Sequence, residues 1–265
     1  MTVYADLVRY RELYGSLFRR DLYARYKGSL LGVAWSLANP LLLMGIYLLV
    51  FSVIWRASFT HVDHYPLFLL SGLAAWIFFS ASLTGATRSM LDSATLIRKV
   101  RFPRQLVAFS VVGANLVNFG VMLGVLLVVD FVVLPRVRAT EWLAIPIALV
   151  FVGLVAGLAL AALNVLFRDI EHLTAALLLP WFFLTPILYP LTGLPPRLAH
   201  HHHLVELLRW GNFVSPAVEA LRDPLYRGHV PRWTDVLYLV VAAAAALALG
   251  AFVFSRADDR LAVEL

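Results

Sequence analysis

The chain has 265 residues, 61% of them hydrophobic and only 14% charged, with a mean hydropathy of +0.81, a balance that excludes an ordinary soluble domain. A net charge of +6 and a pI of about 9.8 would suit nucleic acid, but the cations cluster beside apolar runs instead of forming a soluble basic face. That pattern points to membrane orientation and anionic lipid, and the absence of cysteine excludes disulfides and thiol chemistry.

Several apolar runs exceed the roughly 20 residues that cross a hydrocarbon core of about 30 Å. They are continuous, unlike the short alternating segments of an outer-membrane barrel. The expected fold class is an all-α membrane protein with six transmembrane helices, forming a single transmembrane domain over residues 1–265. No signal-peptide pattern is expected at the start, because residues 4–27 are charged and interrupted before any long apolar run.

Within residues 4–22, Leu7, Tyr10, Tyr14, Leu17, Phe18 and Leu22 fall on one helical arc, with Arg9, Glu12, Ser16, Arg19 and Arg20 largely opposite. An apolar stripe with basic flanks describes a helix lying in the headgroup plane; a soluble-core helix is the alternative. The first span is expected over 30–55, with Asn39-Pro40 near its middle, where proline kinks the helix and Asn39 either packs between helices or lines a polar passage. The loop 56–65 has one basic residue against six in the first 27 positions, which puts the N-terminus in the cytoplasm.

A second span is expected over 66–87, followed by a stretch with four cations, Arg98, Lys99, Arg101 and Arg104, interleaved with Leu96, Ile97, Val100, Phe102, Pro103 and Leu106. Orientation alone explains the charge. The apolar and aromatic residues add a reason to expect a docking surface for another protein, and Pro103 can open a new helix. The third span, 106–134, carries Asn115 and Asn118 on one face and Asp130 near its outer end, where a boundary ion pair with Arg136 or Arg138 is expected.

The fourth span, 142–167, is rich in Gly and Ala, as closely packed membrane helices are, and ends in the charged turn Arg168-Asp169-Ile170-Glu171-His172. The fifth, 173–191, holds Pro180, Pro186 and Pro190, so a continuous ideal helix is not expected there. Its aromatics suit sugar stacking or an interfacial belt. Residues 192–233 are expected to form an extracytoplasmic region with two short re-entrant helices dipping back into the outer leaflet, 204–210 and 217–226, the second introduced by Ser215-Pro216. The run His200 to His203 could hold a transition metal, but a solvated loop is the favoured reading, since no carboxylate or cysteine adjoins it. The last span is 236–254, and a short cytoplasmic tail follows.

No G-x-x-x-x-G-K-[ST] phosphate cradle exists, since the two lysines, Lys27 and Lys99, precede Gly28 and Val100. H-E-x-x-H, G-x-S-x-G and a set of buried carboxylates fit for a proton relay are also missing, so a transporter of this kind draws its energy from a partner.

Five stretches carry a family likeness by their order and spacing: Arg20-Asp21-Leu22-Tyr23-Ala24-Arg25-Tyr26-Lys27-Gly28-Ser29-Leu30-Leu31-Gly32 with Trp35 and Asn39-Pro40; Ile97-Arg98-Lys99-Val100-Arg101-Phe102-Pro103; Asn164-Val165-Leu166-Phe167-Arg168-Asp169-Ile170; Thr185-Pro186-Ile187-Leu188-Tyr189; and Asn212-Phe213-Val214-Ser215-Pro216. The chain resembles the permease subunit of type-2 ABC exporters that move polysaccharides, O-antigens and teichoic acids. The resemblance implies a multi-pass protein of the inner, cytoplasmic membrane, a homodimer with the channel at its interface, two copies of a separate nucleotide-binding ATPase that holds ATP and Mg, a lipid-linked glycan substrate, and no cofactor on this chain.

It also implies an interfacial helix at the cytoplasmic mouth, here with Tyr14, Phe18, Arg19, Arg20 and Arg25, and a coupling helix over 93–103 with Leu96, Ile97, Arg98, Lys99, Val100, Arg101, Phe102 and Pro103. Gate helices map onto 204–226, with Trp210, Pro216, Glu219 and Arg222 as candidates; Trp35, Asn39, Tyr47, Trp181, Phe182, Phe183 and Tyr189 are candidates to line the channel. The boundaries are then 1–29 for the interfacial helix, 30–191 for five spans, 192–233 for the gate region and 234–265 for the last span and tail. A self-contained channel or ion-driven transporter, a membrane-bound modifying enzyme, and an exporter of small lipids or drugs are the alternatives.

Overall fold

The computed structural model describes residues 4–26, 34–50, 64–100, 102–133, 139–162, 169–191 and 202–264. Among them the fold is helical throughout, with no strand: α1 (Ala5–Arg9), α2 (Arg11–Tyr26), α3 (Trp35–Leu48), α4 (Tyr65–Asp92), α5 (Ala94–Lys99), α6 (Gln105–Val133), α7 (Ala144–Ala162), α8 (Asp169–Leu184), α9 (His202–Glu206), α10 (Val214–Arg222) and α11 (Trp233–Glu264). Wide π-type turns, Leu207–Gly211 and Asp223–Arg227, extend α9 and α10.

Among the described residues, four segments are long and apolar enough to cross a membrane: Tyr65–Asp92, Gln105–Phe131, Thr140–Ala161 and Trp233–Arg256. The described part of α3 has 14 residues and α8 has 16, so at 1.5 Å per residue α8 covers about 24 Å, less than a hydrocarbon core of about 30 Å. Parts of the expected first span (30–33 and 51–55) and of the fourth (163–167) lie outside the described residues.

Local chemistry moves several expected boundaries. The fifth helix stops at Leu184 and not at 191, because Pro186 has no amide to donate and pushes Thr185 out of the helical region; residues 185–190 run as turns, with the hydroxyl of Thr185 donating back to the carbonyl of Trp181 at 2.8 Å. Pro180 is carried inside the helix. The expected 93–103 helix is shortened to α5, after which Val100 is extended (φ −129°, ψ 131°) and Phe102 is held out of the helix by Pro103. The expected first helix breaks at Tyr10 into α1 and α2. The tail expected after 254 continues α11 to Glu264, through Ala, Leu and Arg residues that favour helix.

The helices alternate in direction between two ends, one carrying α5 and the other α10. α4 starts beside the α10 end, where Phe68 meets Tyr226, and finishes at α5. α6 returns, placing Leu126 with Leu67, Leu70, Ala144 and Leu225 in a buried cluster. α7 and α11 then run back together to a second cluster at the α5 end, where Leu160 and Phe254 join Met90, Val107 and Phe109. Between the two ends lies the main core, in which Phe78 stacks on Phe119 with centroids 4.8 Å apart.

α7 and α11 meet backbone to backbone. A Cβ on Gly157 would come within 2.4 Å of the Ala246 and Leu247 backbone, and one on Gly250 within 2.4 Å of the Gly157 carbonyl oxygen. Backbone-to-backbone contact of this kind is how membrane helices gain dispersion energy where no water drives them together.

Candidate functional site

Three assemblies of polar and aromatic groups stand out: one at the α5 end, one at the α10 end, and an aromatic wall between them.

At the α5 end, α2 lies on α6 with Leu17 buried and with Tyr14 and Phe18 closing over Gly113. The expected apolar arc is thus turned onto protein. Its polar flank is bonded as well: the Ser110 hydroxyl donates to Asp21 Oδ2 at 2.6 Å, Arg20 Nε donates to Asp21 Oδ1 at 2.9 Å, and Arg20 Nη2 reaches the Ser93 hydroxyl at 3.1 Å. Gln105 donates to Asp6 at 2.7 Å, and the Tyr4 hydroxyl donates to the Leu247 carbonyl. Ser93 is the cap residue of α5 and Gln105 opens α6, so α2 holds one flank of that short helix and α1 the other.

On α5 and its exit, Ile97 and Phe102 pack into the core, Leu96 and Pro103 are half-buried, and Lys99 and Val100 are exposed. The side chains of Arg98 and Arg25, and all of Arg101, lie outside the described residues. Arg19 is exposed. A salt bridge of 2.7 Å between Arg88 and Glu171 joins the end of α4 to the start of α8.

The aromatic wall follows α8. Trp181 meets Trp76, Phe79 and Phe213 edge to face, and Phe182 stacks on Tyr47 with centroids 5.7 Å apart. A cleft of about 330 Å³ between α3, α4 and α8 is lined by Tyr47, Trp76, Leu178 and Phe182. Of the expected channel-lining residues, Trp35 and Phe183 are exposed, Tyr189 donates to the Phe183 carbonyl at 3.1 Å, and the Asn39 side chain lies outside the described residues.

The α10 end is the most strongly bonded. Arg222, fully buried, donates to the carbonyl oxygens of Pro186 and Ile187, pairs with Glu219 at 2.9 Å, and lies over the Phe68 ring at 3.7 Å. Arg227 bridges Glu219 at 2.8 Å and Asp223 at 2.6 Å, and Asp223 accepts the backbone amide of Arg232 at 3.2 Å. Burial pushes the Glu219 carboxyl up, but Arg222 and Arg227 outweigh it and hold the group below the ordinary carboxylate range. Burial also draws Arg222 down to about 10, against the opposing pull of Glu219.

A second knot lies beside it. Trp181 Nε1 donates to Asn212 Oδ1 at 2.8 Å, the Asn212 amide donates to the Thr185 hydroxyl at 2.9 Å, and the Val214 amide donates to Asn212 Oδ1 at 3.1 Å, which sets the start of α10. Arg209 covers the Trp210 ring and pairs with Asp235 at 3.0 Å, the Tyr238 hydroxyl donates to the Trp210 carbonyl at 2.6 Å, and Pro216 is buried in the first turn of α10. The four expected gate residues are therefore gathered at one end, though only Glu219 and Arg222 bond directly.

Asp130 is buried, and its expected partners Arg136 and Arg138 lie outside the described residues, as do His200 and His201. His203 is exposed, and no group of three potential metal ligands exists among the described residues. Asn212, Asp21 and Ser93 had no role assigned from sequence; the Asn-x-x-Ser-Pro pattern before α10 was the one local signal of the first.

Residues 12–226 match the family described as ABC-2 type transporter. The chain belongs to the ABC-2 type transporter family. Two relatives support the assignment at the level of single proteins. It is 41% identical over 196 residues to the O-antigen export system permease protein RfbA of Myxococcus xanthus, covering 71% of this chain and 72% of the relative. It is 33% identical over 184 residues to the protein of the same name in Klebsiella pneumoniae, covering 67% and 69%. The ABC-2 match spans the α5 end, the aromatic wall and the α10 end alike, so all three assemblies belong to the region that carries the family likeness.

Proposed function

We propose that this chain is the membrane-spanning subunit of an ATP-driven exporter for a lipid-linked polysaccharide of the O-antigen type. The observation that carries the reading is the likeness to two O-antigen export permeases, each over about two-thirds or more of both chains. The helical bundle with four long apolar segments agrees with it.

In this reading α3 and α8 complete a set of six spans, the protein sits in the inner membrane with both termini in the cytoplasm, and two copies form the channel. The exposed apolar residues of α3 (Leu41, Leu42, Ile46) and α8 (Leu177, Leu179, Phe183) are the surfaces available for that pairing. Two copies of a separate ATPase hold ATP and Mg and press on α5 from the cytoplasm. Exposed Lys99 and Val100 supply a charged and an apolar contact on that face, and Ile97 and Phe102 carry the push into the core. The α10 end forms the outer gate.

The test is reconstitution with the cognate ATPase in vesicles loaded with lipid-linked glycan. Export that depends on ATP and is lost on combined Arg98→Glu and Arg101→Glu substitution, with membrane insertion intact, supports the reading. Transport without any ATPase, or hydrolysis of ATP by this chain alone, defeats it.

A further inference from the structure

Three independent ties bind α10 to the outer end of α8. Arg222 holds the Pro186 and Ile187 carbonyls, Asn212 joins Trp181 to Thr185 just before α10, and the rings of Trp181 and Phe213 meet edge to face with centroids 4.9 Å apart. The same turn is fixed to α4 through the Tyr65 hydroxyl, which donates to the Leu188 carbonyl at 2.9 Å, and through Arg222 over Phe68. By contrast, the neighbouring α3 touches this unit mainly through apolar and aromatic faces such as Tyr47 on Phe182.

We infer that Arg222 is a positioning residue that makes α10 and the 185–188 turn of α8 one rigid body, so that the gate works by displacement of this whole unit and α10 is no independent flap. The two carbonyls belong to the turn beyond Leu184, the last residue of α8, where no helical ladder pairs them, and the planar guanidinium meets both at once while its face rests on a ring. A lysine has neither the fork nor the plane. Because all three ties join the same two segments, relative movement of α10 against α8 would break a buried charge network and an amide network together.

The inference rests on the export reading, and the experiment separates the two. The chain has no native cysteine, so Thr185→Cys with Asn212→Cys can be joined on the purified, ATPase-bound complex by a short bis-methanethiosulfonate reagent and released with reductant. Joining should leave export within about twofold of the same protein's released state, whereas Arg222→Ala should lower export roughly tenfold with ATP hydrolysis nearly unchanged. Arg222→Lys should not restore it, and joining 185 to 212 in the Arg222→Ala background should. Loss of export on joining, or full export by Arg222→Ala, overturns the rigid unit. If Arg222→Ala does not assemble, joining in the otherwise unaltered chain decides alone. Failure of the unsubstituted complex to export glycan would instead defeat the export reading.

Discussion

The guanidinium of Arg222 occupies the space that a side chain on Gly72 would need: a Cβ at position 72 would lie 2.5 Å from Arg222 Nη2 and 3.3 Å from the Ile187 Cα. One contact is the tip of a side chain whose partners are fixed, and the other is backbone, so neither yields freely. Gly72→Ala should cost about 1–3 kcal/mol, as overpacking of a tight interior does. The midpoint of thermal unfolding in detergent, followed by tryptophan emission, measures it, and an unchanged midpoint would mean that Arg222 has another resting place.

The Glu219 carboxyl sits below its ordinary value because two guanidiniums outweigh its burial. A carboxyl lowered on folding adds stability at pH above its unfolded value, about 4.3, and that contribution disappears as pH falls through the folded value. The contribution of the Glu219–Arg222 pair should therefore be constant near neutrality, where Arg222, at about 10, is charged as well. It should weaken only in strong acid. Glu219→Gln should remove this acid dependence and cost about 1–3 kcal/mol at neutral pH, since buried Arg222 loses its carboxylate partner while half-buried Arg227 keeps Asp223. A pH series of unfolding midpoints for both proteins checks the sign.

Asp21 accepts from Ser110 and Arg20 together, and Arg20 continues to Ser93. Asp21→Ala should loosen α2 from α6 at a cost of about 1.5–3 kcal/mol, the worth of hydrogen bonds to a charged acceptor, with the Ser110 hydroxyl falling back on the Val107 carbonyl at 2.8 Å. The readout is labelling of a cysteine placed at Leu17, which is 3% exposed in the native packing. Faster labelling in the Asp21→Ala background is expected; equal labelling would show that the apolar face alone holds α2.

At the α7–α11 crossing, Gly157→Leu should prevent the two backbones from meeting and abolish accumulation of folded protein, because the atoms in the way are backbone with no room to give. Gly153→Leu is the control, since a Cβ there meets only the Leu247 Cδ1 at 3.8 Å. Yield of monodisperse protein after extraction distinguishes the two.

The four long apolar helices could be read from the chain because hydropathy over some twenty residues is a one-dimensional property, whereas the fifth span, expected to 191, stops at Leu184 because Pro186 overrides the apolar content that follows. That Pro180 leaves the same helix unbroken could not be read, since Trp181 beside it is anchored to Asn212 on a loop distant in sequence. The gate residues were placed at one end by the resemblance. The complete burial of Arg222 was not legible, because its carbonyl partners lie 36 and 35 residues away and nothing near Arg222 in sequence announces them. The bonds of Asp21 and Ser93 are illegible for the same reason: each is an ordinary polar residue by composition, and its meaning comes from the fold that sets Arg20 between them.

The proline carried at position 180 withholds the amide that would otherwise engage the Ala176 carbonyl, and both residues are on the exposed side of α8. Acyl chains are the one kind of neighbour that cannot offer a donor in its place. That stripe of α8 is therefore poorly suited to bathe in lipid and well suited to a wetted lumen or to a second polypeptide whose hydroxyls or amides complete it.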